Sequence, residues 1–160
     1  MHCSSLTAHH IYLQESETTK MTAFEAAKKF FEACETAKGW AGCKQYVVDG
    51  APFAAQSEPL MDVTTVEAYC DWMGGLGSVT APGATYDLHV ACYDESTRTA
   101  VFFATYHAKH TGDGGPVPPT QKETHSEYVY FLTMNDDNKV ASMKKVWNAS
   151  WALRELGWME

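Results

Sequence analysis

Between Glu127 and Trp147 the chain reads E-Y-V-Y-F-L-T-M, then N-D-D-N, then K-V-A-S-M-K-K-V-W. Two runs rich in Val, Tyr, Phe and Met flank Asn135, Asp136, Asp137 and Asn138. Asn and Asp tolerate left-handed backbone and hydrogen-bond their own turn, so the pattern predicts a β-hairpin. Side chains alternate across a strand. Tyr128, Tyr130, Leu132 and Met134 therefore share one face of the first strand, and Ala141, Met143, Lys145 and Trp147 share one face of the second. That face mixes large apolar groups with two phenols and an ammonium, which suits a pocket wall better than a dry core.

Upstream the period is helical. Thr22 with Glu25 forms a capping box, and Phe24, Ala27, Phe31 and Cys34 recur at helical spacing, which predicts a helix from Thr22 to Lys38 stopped by Gly39. A short helix over Trp40–Tyr46 and an extended segment from Ala51 to Gln56 follow. Thr64 and Glu67 predict a second capping box, opening a helix with Val66, Tyr69, Cys70 and Met73 on one side and fraying at Gly74, Gly75 and Gly77. Thr85–Tyr93 and Thr99–His110 read as strands joined by D-E-S-T-R, and Gly112–Gln121 is too rich in Gly and Pro to be either element. Asn148 or Ser150 is placed to cap a last helix, Ala149–Leu156, closed by Gly157. Helices first and strands after predict an α+β domain, with about three N-terminal helices packed on a curved antiparallel sheet. That domain spans residues 21–160. Residues 1–20 form an extension with no period and no signal-peptide core, and Met21 is placed to serve as a second initiation site.

Charge and cysteine usage narrow the partners. A net charge of −8 argues against nucleic acid and anionic membranes, and no apolar run reaches the length of a membrane helix. Cys3, Cys34, Cys43, Cys70 and Cys92 are odd in number and widely spaced, which fits free thiols in a reducing cytoplasm. Adjacent side chains such as His9 and His10 diverge on any regular element and make poor joint ligands. No phosphate cradle or metal-ligand spacing occurs, so neither a cofactor nor a metal is expected.

The order of elements resembles the nuclear transport factor 2-like fold, a cone of sheet closed by helices. P-V-P-P-T-Q-K and the closing L-R-E-L-G resemble SnoaL-like polyketide and ester cyclases, whereas N-K-V-A-S-M-K-K-V-W resembles the last strand of ketosteroid isomerases. Carried over by position, the isomerases' oxyanion-hole acid falls on Tyr130, a phenol able to donate the same bond. Their general base falls near Ala55 or Gln56, and their helix-1 tyrosine near Phe31. The cyclases' acid/base falls on Asn148, an amide. The resemblance thus implies the fold while replacing the usual carboxylates.

Tyr130, Lys145 and His107 are the candidate catalytic residues, as oxyanion donor, base or anion anchor, and proton carrier. Folding the Pro-rich loop about its centre brings His107 near His125, although strand histidines also serve as plain surface residues. Phe31, Gln56, Met73, Tyr128, Met143, Trp147 and Asn148 are the candidate ligand contacts. The expected ligand is a small apolar or aromatic molecule. Two functions follow: a cofactor-free isomerase, cyclase or lyase acting on a carbonyl compound, or a non-catalytic binding or dimerisation module. Val129, Phe131 and Val146 on the other face of the hairpin predict a homodimer packed sheet to sheet.

Overall fold

A computed structural model describes residues 20–160; His9, His10, Cys3 and nearly all of the expected extension lie outside the described residues. Helix α1 (Ala23–Glu35) starts at the expected box: Thr22 Oγ1 accepts the Glu25 N–H at 3.2 Å, and the Glu25 carboxylate accepts the Thr22 N–H at 2.9 Å. It ends three residues before Lys38, because Ala37 turns left-handed at φ 57°. Helix α2 (Gly39–Cys43), strand β1 (Phe53–Ala55) and helix α3 (Val66–Gly75) follow. The α3 N-cap is Thr65 rather than Thr64, and its side chain accepts the Ala68 N–H at 3.1 Å. The shift has a cause: the Thr64 carbonyl accepts the Phe53 N–H at 2.9 Å, which keeps the chain extended through Thr65. Past Gly75 the helix does not fray as expected but widens into a π-helical turn, Leu76–Thr80.

Strands β2 (Thr85–Asp94), β3 (Thr99–Lys109), β4 (Glu123–Met134) and β5 (Val140–Trp147) form consecutive antiparallel hairpins, and helix α4 (Ala149–Glu155) closes the chain. The sheet order is β1-β5-β4-β3-β2. It is mixed rather than purely antiparallel, since β1 enters from the helical layer and runs parallel to β5. Alternate residues of β3 and β4 are buried, from Ala100 to Ala108 and from Thr124 to Met134, so each strand has one inward face. A register irregularity between Thr133 and Met134 carries Val140 into the core, where simple alternation places Ala141.

Helices α1 and α3 cover the inward face. Phe31 stacks on Phe102 at 4.6 Å and meets the edge of Tyr130 at 5.4 Å. Cys34, Cys43 and Cys70 are buried where α1, α2 and α3 meet, and Cys92 is exposed. Buried His110 ties the Pro-rich loop and the C-terminal end to β3, its Nδ1 accepting the Trp158 indole N–H at 2.8 Å and the Thr120 N–H at 3.2 Å. On the outward face Phe131 and Val146 are exposed, at 38% and 56%. No helix among the described residues is long and apolar enough to cross a membrane.

The cap register is testable by paired substitutions. Thr65→Ala should destabilise the protein by about 1 kcal/mol, and Thr64→Ala should change stability by less than about 0.5 kcal/mol. Equal losses in denaturant titrations would move the cap back to Thr64.

Candidate active site

The apolar stripe of α1 does not stop at Phe31. One turn on, at the same face, stands Glu35, with only 2% of its surface exposed. Its two oxygens accept the hydroxyls of Tyr128 and Tyr130, each at 2.5 Å. Because Tyr130 spends its only proton on Glu35, its oxygen accepts from the Tyr69 hydroxyl, which lies in very close contact. The Tyr69 oxygen in turn accepts from Lys145 Nζ at 2.9 Å. One proton per hydroxyl therefore fixes the direction of the chain: Lys145 to Tyr69, Tyr69 to Tyr130, Tyr130 to Glu35, with Tyr128 as a second donor to the same carboxylate.

The ammonium of Lys145 sits among rings rather than water, 4.7 Å from the Trp147 centroid, 5.1 Å from Tyr128 and 5.3 Å from Tyr69. Burial lowers its pKa to about 8, against the opposing pull of Glu35. Burial likewise raises the Glu35 pKa, while Lys145 and the two phenols hold it down. Burial also raises the phenols of Tyr69, Tyr128 and Tyr130, which stay protonated. Both ends of the chain are thus pushed toward their neutral forms. Proton transfer along it interconverts an ammonium–carboxylate pair and an amine–carboxylic acid pair.

Glu35, Tyr128 and Lys145 border an internal cavity of about 20 Å³, walled otherwise by Met73, Leu76, Tyr106, Ser126 and the indoles of Trp72 and Trp147. The Tyr106 hydroxyl is buried there without a hydrogen-bond partner. Gly77 permits the π-helical turn to come this close, since a Cβ there would stand 2.7 Å from the Ala37 side chain and 3.4 Å from the Tyr106 oxygen. Trp72 and Leu76 also line an outer groove of about 370 Å³ with Val79 and Trp158, and Trp147 borders another of about 380 Å³. The two indoles, edge to face at 6.4 Å, therefore stand between the cavity and the outside. Trp147 is held by one 3.3 Å bond from its Nε1 to Ser126.

The structure brings together only part of the sequence-derived set. Tyr128, Lys145, Met73 and Trp147 line the cavity, Tyr130 lies within the proton chain, and Phe31 packs behind both phenols. Met143 is a core residue paired with Phe53. Gln56 and Asn148 line the groove beside Trp147, where Asn148 caps α4 by accepting the Trp151 N–H, and Gln56 also lines a groove of about 320 Å³ with Lys145 and Trp147. His107 points to the outer face because Tyr106 takes the inward position of β3. There it contacts His125 at 2.7 Å, its cross-strand partner, and Asp87 at 2.9 Å. Glu35, Tyr69 and Tyr106 were not among the candidates. An acid at the end of an apolar stripe was the one available signal for Glu35. Among the described residues no group of three His, Cys, Asp or Glu side chains is arranged to hold a metal.

Neither a protein-family model nor a curated protein sequence matches the chain. Solved structures do. A protein from Jannaschia sp. CCS1 assigned as a SnoaL-like polyketide cyclase superposes with a TM-score of 0.69 at 16% identity, over 89% of this chain and 96% of that one. AclR from Streptomyces galilaeus, assigned as a hydroxylase, gives 0.67 at 17% identity over 86% of each chain. BvnE pinacolase from Penicillium brevicompactum gives 0.62 at 12% identity, over 82% of this chain and 89% of that one. Three differently named activities on one scaffold leave the reaction to the side chains. The chain has the cone fold of the SnoaL-like, nuclear transport factor 2-like proteins.

Proposed function

We propose that the protein is a cofactor-free enzyme of the isomerase, cyclase or lyase kind, moving a proton beside the carbonyl group of a small, largely apolar compound. The observation that carries this reading is the buried chain from Lys145 through Tyr69 and Tyr130 to Glu35, with both ends biased toward neutrality. Such a pair offers a base and an acid at neutral pH without a metal. In the proposed mechanism the carbonyl oxygen lies against the unpartnered Tyr106 hydroxyl and Lys145, donors placed where negative charge develops. Glu35 is the proton acceptor, with Tyr128 and Tyr130 relaying. The free thiols fit a cytoplasmic setting. The polyketide-cyclase assignments among the structural neighbours agree with carbonyl chemistry. A second reading, a non-catalytic binding module, is favoured by one observation: a cavity of about 20 Å³ has room for about one water until Trp72 or Trp147 moves.

Hydrogen exchange separates the two. Small ketones incubated with the protein in D2O, followed by NMR, should gain deuterium at the α-carbon. Glu35→Gln should slow that exchange on the order of a hundredfold or more. Wild-type exchange no faster than buffer would support the binding module instead.

The titration of Lys145 has a stability signature. Its folded pKa of about 8 lies below its ordinary 10.5, so between those values the unfolded chain holds a proton that the folded chain lacks. Stability should therefore rise from pH 8 toward pH 9.5, by about 1 kcal/mol or more relative to Lys145→Met. Above about pH 10 the unfolded tyrosines ionise while the buried ones do not, and the slope reverses. Parallel pH profiles for the two proteins would mean that Lys145 is not depressed.

We further propose that the outward sheet face, with Val129, Phe131 and Val146, pairs with a second copy. Light scattering at micromolar concentration should give a dimer, and Val146→Asp should give a monomer.

A further inference from the structure

An amine that attacks a carbonyl must be unprotonated part of the time, shielded from water, and coupled to groups that can take and return protons. Lys145 meets these conditions where the other lysines do not. Lys109 pairs with Glu123 at the surface, and exposed Lys28 lies over the ring of Phe24. Lys145 borders the internal cavity beneath two indoles, and among the described residues the hydrogen bond from its Nζ leads into the phenol chain. Glu35 at the far end is reached from the cavity by a second phenol, Tyr128, which shares the cavity wall with Lys145. The chain thus forms a nearly closed circuit, leaving the cavity at one amine and returning to it at one hydroxyl.

From this circuit we propose that Lys145 forms an imine with small aldehydes or ketones, Glu35 and its phenols carrying the protons. The proposal rests on the carbonyl-directed function above and supplies its covalent route. The ammonium first passes one proton through Tyr69 and Tyr130 to Glu35, leaving a neutral amine and a carboxylic acid. The nitrogen lone pair then forms the C–N bond, and the carbonyl π pair moves to oxygen. One N–H proton passes down the chain as Tyr128 protonates the oxygen and recovers its proton from Glu35. A second proton by the same limb releases that oxygen as water, and the nitrogen lone pair closes the C=N bond. Amine, carbonyl and carboxylic acid have become iminium, water and carboxylate. Charge and atoms balance, and the new cation faces the anion it created. The depressed pKa of Lys145 agrees with this role.

The test uses the full-length wild-type protein, limiting acetaldehyde and cyanoborohydride at pH 6.5, with peptide mass spectrometry over time. An amine of pKa about 8 is on the order of three-hundredfold more available there than one near 10.5. Lys145 should therefore acquire its ethyl group at least about ten times faster than Lys109 or Lys122, with any free α-amino group followed separately. Lys145→Arg, which keeps the charge, should lose that label and leave the others unchanged. Labelling of Lys145 no faster than of the surface lysines overturns the imine. If α-hydrogen exchange persists in that case, the proton-transfer function stands by itself. Fast labelling without any exchange keeps the amine's reactivity and removes the proton-transfer reading.

Discussion

A carboxyl and an ammonium group taken out of water on one small domain set the terms for everything around them. Desolvating either ion costs several kcal/mol, and that cost is offset only where every remaining donor and acceptor is used. Glu35 and Lys145 do not touch directly; they are joined through hydroxyls, with Tyr128 and Tyr130 both spent on the carboxylate and Tyr69 spanning to the amine. Five aromatic rings then stand around Lys145 in place of a hydration shell. Removing one member leaves a buried charge or hydroxyl without a partner, which is why the network behaves as a unit.

Two backbone departures from regularity serve this unit. The left-handed turn at Ala37, two residues on, ends α1 at Glu35, so the helix delivers its carboxylate and leaves. The π-helical turn after α3 carries Leu76 to the cavity wall, and its missing side chain at Gly77 gives room to Ala37 and Tyr106. π-helical turns recur at functional sites because they re-aim side chains at a cost to regular hydrogen bonding. The shifted register beside Met134 lies at the far end of the hairpin, away from Lys145 and Trp147. The part of the sheet that holds the site stays regular.

Much of this was legible from periodicity. Strict alternation in the last hairpin put Tyr128, Tyr130, Lys145 and Trp147 on one face, and they line one cavity or one proton chain. The helical stripe containing Tyr69 and Met73 pointed inward as expected. What alternation cannot supply is the partner of a hydroxyl. Glu35 is ninety-three residues from Tyr128, and that contact depends on where α1 crosses the sheet. An exposed acid at a helix end and a buried one look alike in sequence. Asn148 and Gln56, placed by resemblance to other chains and not by periodicity, lie on grooves beside Trp147 and not on the wall of the small cavity. The parallel pairing of β1 with β5 was likewise invisible, since a three-residue strand carries almost no periodic signal.

The position of Glu35 also changes what the missing carboxylates mean. Judged by the positions that the isomerase and cyclase resemblance implies, the strand and hairpin lack acids. The acid has instead entered from α1, through the opposite wall of the cone, and reaches the cavity beside the two phenols that bind it. In the proposed reaction the proton acceptor comes from the helical layer and the electrophilic donor, Lys145, from the last strand. Glu35 and Lys145 come from different layers of the fold and are linked by a hydrogen-bonded path instead of by direct contact. In the proposed reaction such a path would let a removed proton return without crossing bulk water, which is the requirement for moving a proton within one molecule and not merely exchanging it with solvent.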